Sequence, residues 1–70
     1  MNWRDKSINI FQNFKIKTRQ DTFDSLYIIL ESGAYFKIHS SMTFTLNSND
    51  DVNSETIKNK LIQYGFCHLV

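Results

Sequence analysis

Seventy residues with 41% hydrophobic and 14% aromatic side chains suffice for one domain with a single small core, and are too apolar for a disordered tail. Eight Lys and Arg stand against seven Asp and Glu, and this net charge of +1 argues against both a strongly basic nucleic-acid binder and an acidic nucleic-acid mimic. The lone cysteine, Cys67, excludes an intrachain disulfide framework, and the longest apolar run, Leu26–Leu30, is far too short to span a membrane.

From Ser7 to Arg19 the chain alternates like a strand. Ile8, Ile10, Phe14 and Ile16 fall on one side and Asn9, Asn13, Lys15, Lys17 and Arg19 on the other. Phe11 breaks this pattern, and Trp3, Ile10, Phe11 and Phe14 also recur at the helical period. The β-prone stretch from Phe14 to Thr18 decides for a strand beginning near Ile8, with a helix over 2–13 as the rival. Arg19–Asp24 is polar and reads as a connection.

Phe23, Leu26, Tyr27 and Leu30 have helical spacing, with Asp21 or Thr22 as a cap and Gly33 as a stop. The continuous β-prone run Leu26–Leu30, followed by Glu31-Ser32-Gly33 and a second alternating run, favours a hairpin. Ala34–Asn47 carries the clearest strand pattern. Phe36, Ile38, Met42, Phe44 and Leu46 alternate with Tyr35, Lys37, His39, Ser41, Thr43 and Thr45. This predicts either one long bent strand or two shorter ones with a local irregularity near Ser40-Ser41.

A polar loop, Asn47–Asn53, leads to a helix with Asn53 as N-cap and Val52 stapled onto Ile57. Ile57, Leu61 and Tyr64 form its expected buried stripe, Gly65 the left-handed stop, and Phe66 the residue that folds back onto Leu61. Phe66–Val70 reads as a short last strand. The expected fold is α+β: an antiparallel meander of three or four strands, one C-terminal helix across it, and a short terminal strand.

Chemistry-bearing motifs are sparse. Cys67 and His68 are neighbours and point to opposite sides of a strand, so they form no dyad. Together with His39 they fall short of the ligand set of a zinc site. Cys67 reads as a small core hydrophobe and His39 as an exposed strand residue. Asp21, Asp24, Asp50 and Asp51 suit turns and caps better than a carboxylate pair converging on a pocket. With only Gly33 and Gly65, no phosphate-binding glycine loop exists. The expectation is a non-enzyme with no metal and no cofactor.

What remains is surface. Lys15, Lys17 and Arg19 recur every second residue, as do Tyr35, Lys37 and His39. If the two strands were neighbours, their polar faces would mix cations with an aromatic, as nucleic-acid-binding sheets do. The simpler reading is the solvated side of half-buried strands. Trp3 and Tyr35 are aromatics of the kind enriched at interfaces. Seven Asn, eight Ile and six Lys against one Ala are the residues of AT-rich codons, which points to a phage, a mobile element or a low-GC bacterium.

The leading expectation is therefore a small protein–protein interaction protein, of the type with which phages inhibit a host defence or nucleic-acid enzyme. Its candidate partner-binding residues are Trp3, Lys15, Lys17, Arg19, Tyr35, Lys37 and His39. The alternatives are weak nucleic-acid binding by a basic strand face, and a structural homodimer joined through a sheet edge. The N-terminus shows no secretory h-region, so the expected location is the cytoplasm, with no membrane partner.

Overall fold

The computed structural model describes residues 2–47 and 52–69. Its elements in chain order are α1 (Trp3–Phe11), β1 (Ile16–Asp21), β2 (Ser25–Leu30), β3 (Tyr35–His39), β4 (Thr43–Asn47), α2 (Val52–Gln63) and β5 (Cys67–His68). The five strands form one sheet in sequence order, antiparallel from β1 to β4, with β5 parallel to β4. The fold is α+β. It differs from expectation in having a second, N-terminal helix and in its number of strands.

The strand expected from Ile8 is instead the second half of α1. Asn2 caps this helix, its side chain accepting a hydrogen bond from the Asp5 N–H at 2.8 Å. Ser7, Ile10 and Phe11 then lie on one helical face and are buried. The Ser7 hydroxyl donates to the Trp3 carbonyl at 2.8 Å, so its burial leaves no unmet donor. Helical spacing wins here because it buries Phe11, the residue that alternation left on the polar side. Phe11 meets Phe36 of β3 edge to face, ring centroids 5.1 Å apart.

Leu26–Leu30 is a strand, as the hairpin reading required, and Gly33 occupies the left-handed position in the turn to β3, with φ +99°. The long alternating run divides into β3 and β4, which pair with each other rather than continuing as one bent strand. The irregularity near Ser40-Ser41 is the hairpin turn itself. Met42 takes a positive φ of 64° there, and Ile38 and Phe44 fall opposite one another. The phase of the pattern survives because paired residues share a face.

α2 begins at Val52, so Asn53 lies inside the helix rather than capping it. Val52 is 79% exposed and staples nothing, and Tyr64, 47% exposed, is not part of the buried stripe. Ser54, Ile57 and Leu61 form that stripe. The C-terminal end matches expectation in detail. The Phe66 N–H donates to the Leu61 carbonyl at 2.9 Å and the Gly65 N–H to that of Ile62 at 3.1 Å, a Schellman closure with Gly65 at φ +102°. This closure turns the chain directly into β5.

Both helices contribute to the same core. Ile10 and Phe11 of α1 and Ile57 and Leu61 of α2 pack with Leu26, Ile28, Leu30, Phe36, Ile38 and Phe44 from one side of the sheet. The molecule thus has two layers, and no described element lies over the other side of the sheet.

Candidate interaction surface

Strand register assigns each sequence-selected residue to a side. Leu26, Ile28 and Leu30 face the helices, so their neighbours Tyr27 and Ile29 face outward. Opposite Tyr27 on β3 is Lys37, and opposite Ile29 is Tyr35. Across β4, Tyr35 pairs with Asn47, Lys37 with Thr45 and His39 with Thr43. Thr43 in turn lies beside Cys67 of β5. Tyr35, Lys37 and His39 therefore share the open face, as their alternation implied.

Lys15, Lys17 and Arg19 do not join them. Ile16 pairs with Leu30, but Thr18 pairs with Ile29, so β1 carries one extra residue, a bulge at Lys17. Beyond it the phase reverses. Thr18 and Gln20 take the open face, while Arg19 and Asp21, opposite Ile28 and Leu26, take the helix side. Lys15 lies before β1, and β1 neighbours β2 rather than β3. The joint basic face drawn from both strands does not form.

Arg19 is committed elsewhere. Its guanidinium bonds the Asp21 carboxylate at 2.8 and 2.9 Å, and Arg4 of α1 reaches the same carboxylate at 3.0 Å. The hydrogen bond from Arg19, reinforced by the charges of both arginines, holds the Asp21 carboxyl below its ordinary range. Trp3, half-buried at the start of α1, lies beneath the Arg4 guanidinium at 4.5 Å from its ring centroid.

The centre of the open face is aromatic. Tyr27 and Tyr35 are 6.4 Å apart between ring centroids, and the Lys37 ammonium sits 5.3 Å from the Tyr27 ring. Tyr27, Ile29 and Tyr35 join Thr18, Gln20 and Thr22 around a shallow depression of about 280 Å³. None of the strand residues assigned to this face is acidic. Lys37 is the permanent charge among them.

Cys67 is exposed rather than part of the core, because β5 pairs it with Thr43 and so turns its side chain to the open face of the sheet. Its neighbour His68 turns the other way and stacks on Phe44, centroids 4.9 Å apart. Among the described residues no group of three or more His, Cys, Asp or Glu side chains converges as a metal site would. No helix among them is long and apolar enough to cross a membrane.

Two residues that alternation did not single out stand out here. Ile29 lies opposite Tyr35 and two residues along β2 from Tyr27, on the open face. Phe23, assigned in sequence to a helical face or a polar connection, is 100% exposed in the turn between β1 and β2. The available signal was a bulky aromatic inside an otherwise polar Gln20–Ser25 stretch. No protein-family model, curated protein or solved structure matches this chain.

Proposed function

We propose that this chain is a non-catalytic binding module that engages a folded protein partner through the open face of its sheet. In the setting its composition points to, it acts as a phage-type or mobile-element inhibitor of a host enzyme in the cytoplasm. The observation that carries the reading is the cluster of Tyr27, Ile29, Tyr35 and Lys37, which no described element covers, ringed by threonines and with no carboxylate among the strand residues of that face. Amphipathic aromatics around an apolar centre with a polar rim are what protein interfaces use for anchoring.

The face favours this over an edge contact. β1 carries Lys17, Arg19 and a bulge, and β5 is only two residues long, features that oppose strand addition at both edges. A nucleic-acid reading draws support from the same tyrosine pair and from the absence of acidic strand residues on that face. It is the weaker one, because phosphate affinity sums over many cations and Arg19 is paired on the helix side.

The test compares wild type with Tyr35→Ala and Lys37→Glu, both at positions outside the core. Tagged wild-type protein expressed in its source cells should retain a stoichiometric protein partner that Tyr35→Ala loses, with unfolding midpoints unchanged. A labelled oligo(dT) should show no binding at physiological salt. Micromolar oligo(dT) binding that falls steeply with salt and disappears in Lys37→Glu would replace the protein-binding reading with the nucleic-acid one.

A further inference from the structure

We infer that Phe23 is an anchoring knob, presented on a prearranged turn for insertion into an apolar pocket of a folded protein partner. Folding supplies no reason for a phenylalanine at this position. Its side chain is fully exposed, it belongs to no core cluster, and the tip of a hairpin is ordinarily occupied by small or polar residues. The ring stays in full contact with water, and no described core residue offsets that cost.

The turn beneath the ring is held from several directions. Arg4 donates to the Thr22 carbonyl at 2.5 Å and to the Phe23 carbonyl at 3.4 Å. The Asp24 carbonyl accepts from the Ser40 N–H at 2.8 Å, which ties this turn to the one between β3 and β4. The Ser25 carbonyl accepts from the Thr22 N–H at 2.9 Å. Every carbonyl of the four-residue turn thus has a donor inside the molecule, and Arg4 is itself oriented by Asp21 and Trp3. An exposed anchor on a backbone ordered in this way loses little further entropy when it binds, which is the condition for a strong contact from one side chain.

The charges around the ring select the partner. Asp24 is adjacent and exposed, with no ion pair among the described residues, and it offsets the one positive charge that Arg4 and Arg19 leave over after sharing Asp21. The base of the ring is therefore locally neutral and offers a polyanion or an anionic bilayer no net attraction. The fitting surface is a protein pocket lined by apolar side chains, with a lysine, arginine or backbone N–H at its mouth to meet Asp24. This inference rests on the protein-binding reading and adds a contact outside the sheet face.

The experiment places the photoreactive amino acid p-benzoylphenylalanine at position 23, or at the exposed Gln63 of α2 as control, in the full chain expressed in its source cells. Irradiation should give one discrete protein adduct from position 23 and none from position 63. The crosslinked protein, purified and titrated with unmodified chains, should bind Phe23→Ser at least about thirtyfold more weakly than wild type. Phe23→Leu should recover part of the loss, and Asp24→Lys should weaken binding with the ring intact. Urea midpoints of the two Phe23 variants should match wild type, since that side chain is fully exposed, and Asp24→Lys is compared as folded protein because it also removes the acceptor of the Ser25 hydroxyl. The inference is overturned by an absent adduct, by an adduct only between two copies, or by undiminished binding of Phe23→Ser. Binding of wild type, but not Phe23→Ser, to phosphatidylglycerol vesicles would overturn it in favour of a lipid surface. A partner lost by Tyr35→Ala but kept by Phe23→Ser leaves the sheet-face function standing and removes Phe23 from it.

Discussion

Asp21 is the residue on which distant parts of the chain converge. Arg19 approaches it along β1 and Arg4 from α1, so one exposed carboxylate joins the first helix to the edge of the sheet. Because these partners hold its folded-state pKa below the unfolded value, the charged form stabilises the fold above the ordinary carboxylate range. That contribution is lost as pH falls through the depressed value and the group protonates. Wild type should therefore lose more stability than Asp21→Asn between about pH 5 and about pH 2, measured as the shift in urea midpoint. Parallel acid profiles for the two proteins would show that the pairing is too solvated to matter. Arg4 has a second duty in bonding the 22–23 carbonyls, which is why its guanidinium, unlike the lysines of this chain, reaches several acceptors at once.

At the scale of elements, the two helices are short and gain their stability by packing against the sheet. α2 illustrates this through adjacent residues. Leu61 is fully buried among the strands and Ile62 is 47% exposed, although the two are alike in chemistry. Leu61→Ala should cost about 2–5 kcal/mol by removing core contacts and leaving a cavity. Ile62→Ala should change stability by no more than about 0.5 kcal/mol, the scale of a surface position. Chemical denaturation of the pair checks the orientation of the helix, and similar losses at both positions would contradict it. β1 shows the opposite balance. All six of its residues are exposed, and its charges and bulge serve to guard the edge rather than to fill the core.

The whole molecule is a two-layer sandwich with one dry side and one open side. α1 is needed to complete the dry side, since its Ile10 and Phe11 are buried members of the core and Phe11 packs on Phe36 of β3. A chain starting at Asn13 should therefore lack a cooperative thermal transition and bind a hydrophobic dye, because the ring of Phe36 loses its Phe11 partner. A sharp transition in that truncated chain would mean that the sheet and α2 form the stable unit by themselves. The open side is then a consequence of arithmetic as much as of design. Two helices of nine and twelve residues can cover one face of a five-stranded sheet, and the other is left for water or a partner.

Features decided by near neighbours in the chain were legible in the amino-acid sequence alone. The β2–β3 hairpin, the Gly33 turn and the closure of α2 through Gly65 and Phe66 each depend on residues a few positions apart, whose conformational preferences need no distant partner. The α+β class followed from those elements. The face of Arg19, the exposure of Cys67 and the helix over Trp3–Phe11 were decided by tertiary structure. A single bulge at Lys17 reverses every side chain after it, and its position is set by pairing with β2 rather than by anything local. Cys67 is exposed because its register with β4 turns it to the open face, a matter of pairing between distant segments. α1 forms because Phe36 and its neighbours offered Phe11 a place to be buried, and burial outweighs the small difference between helical and extended propensity in that segment. The same reason hid Phe23: its importance lies in what does not cover it, and only the assembled fold shows which aromatic rings are left without a neighbour.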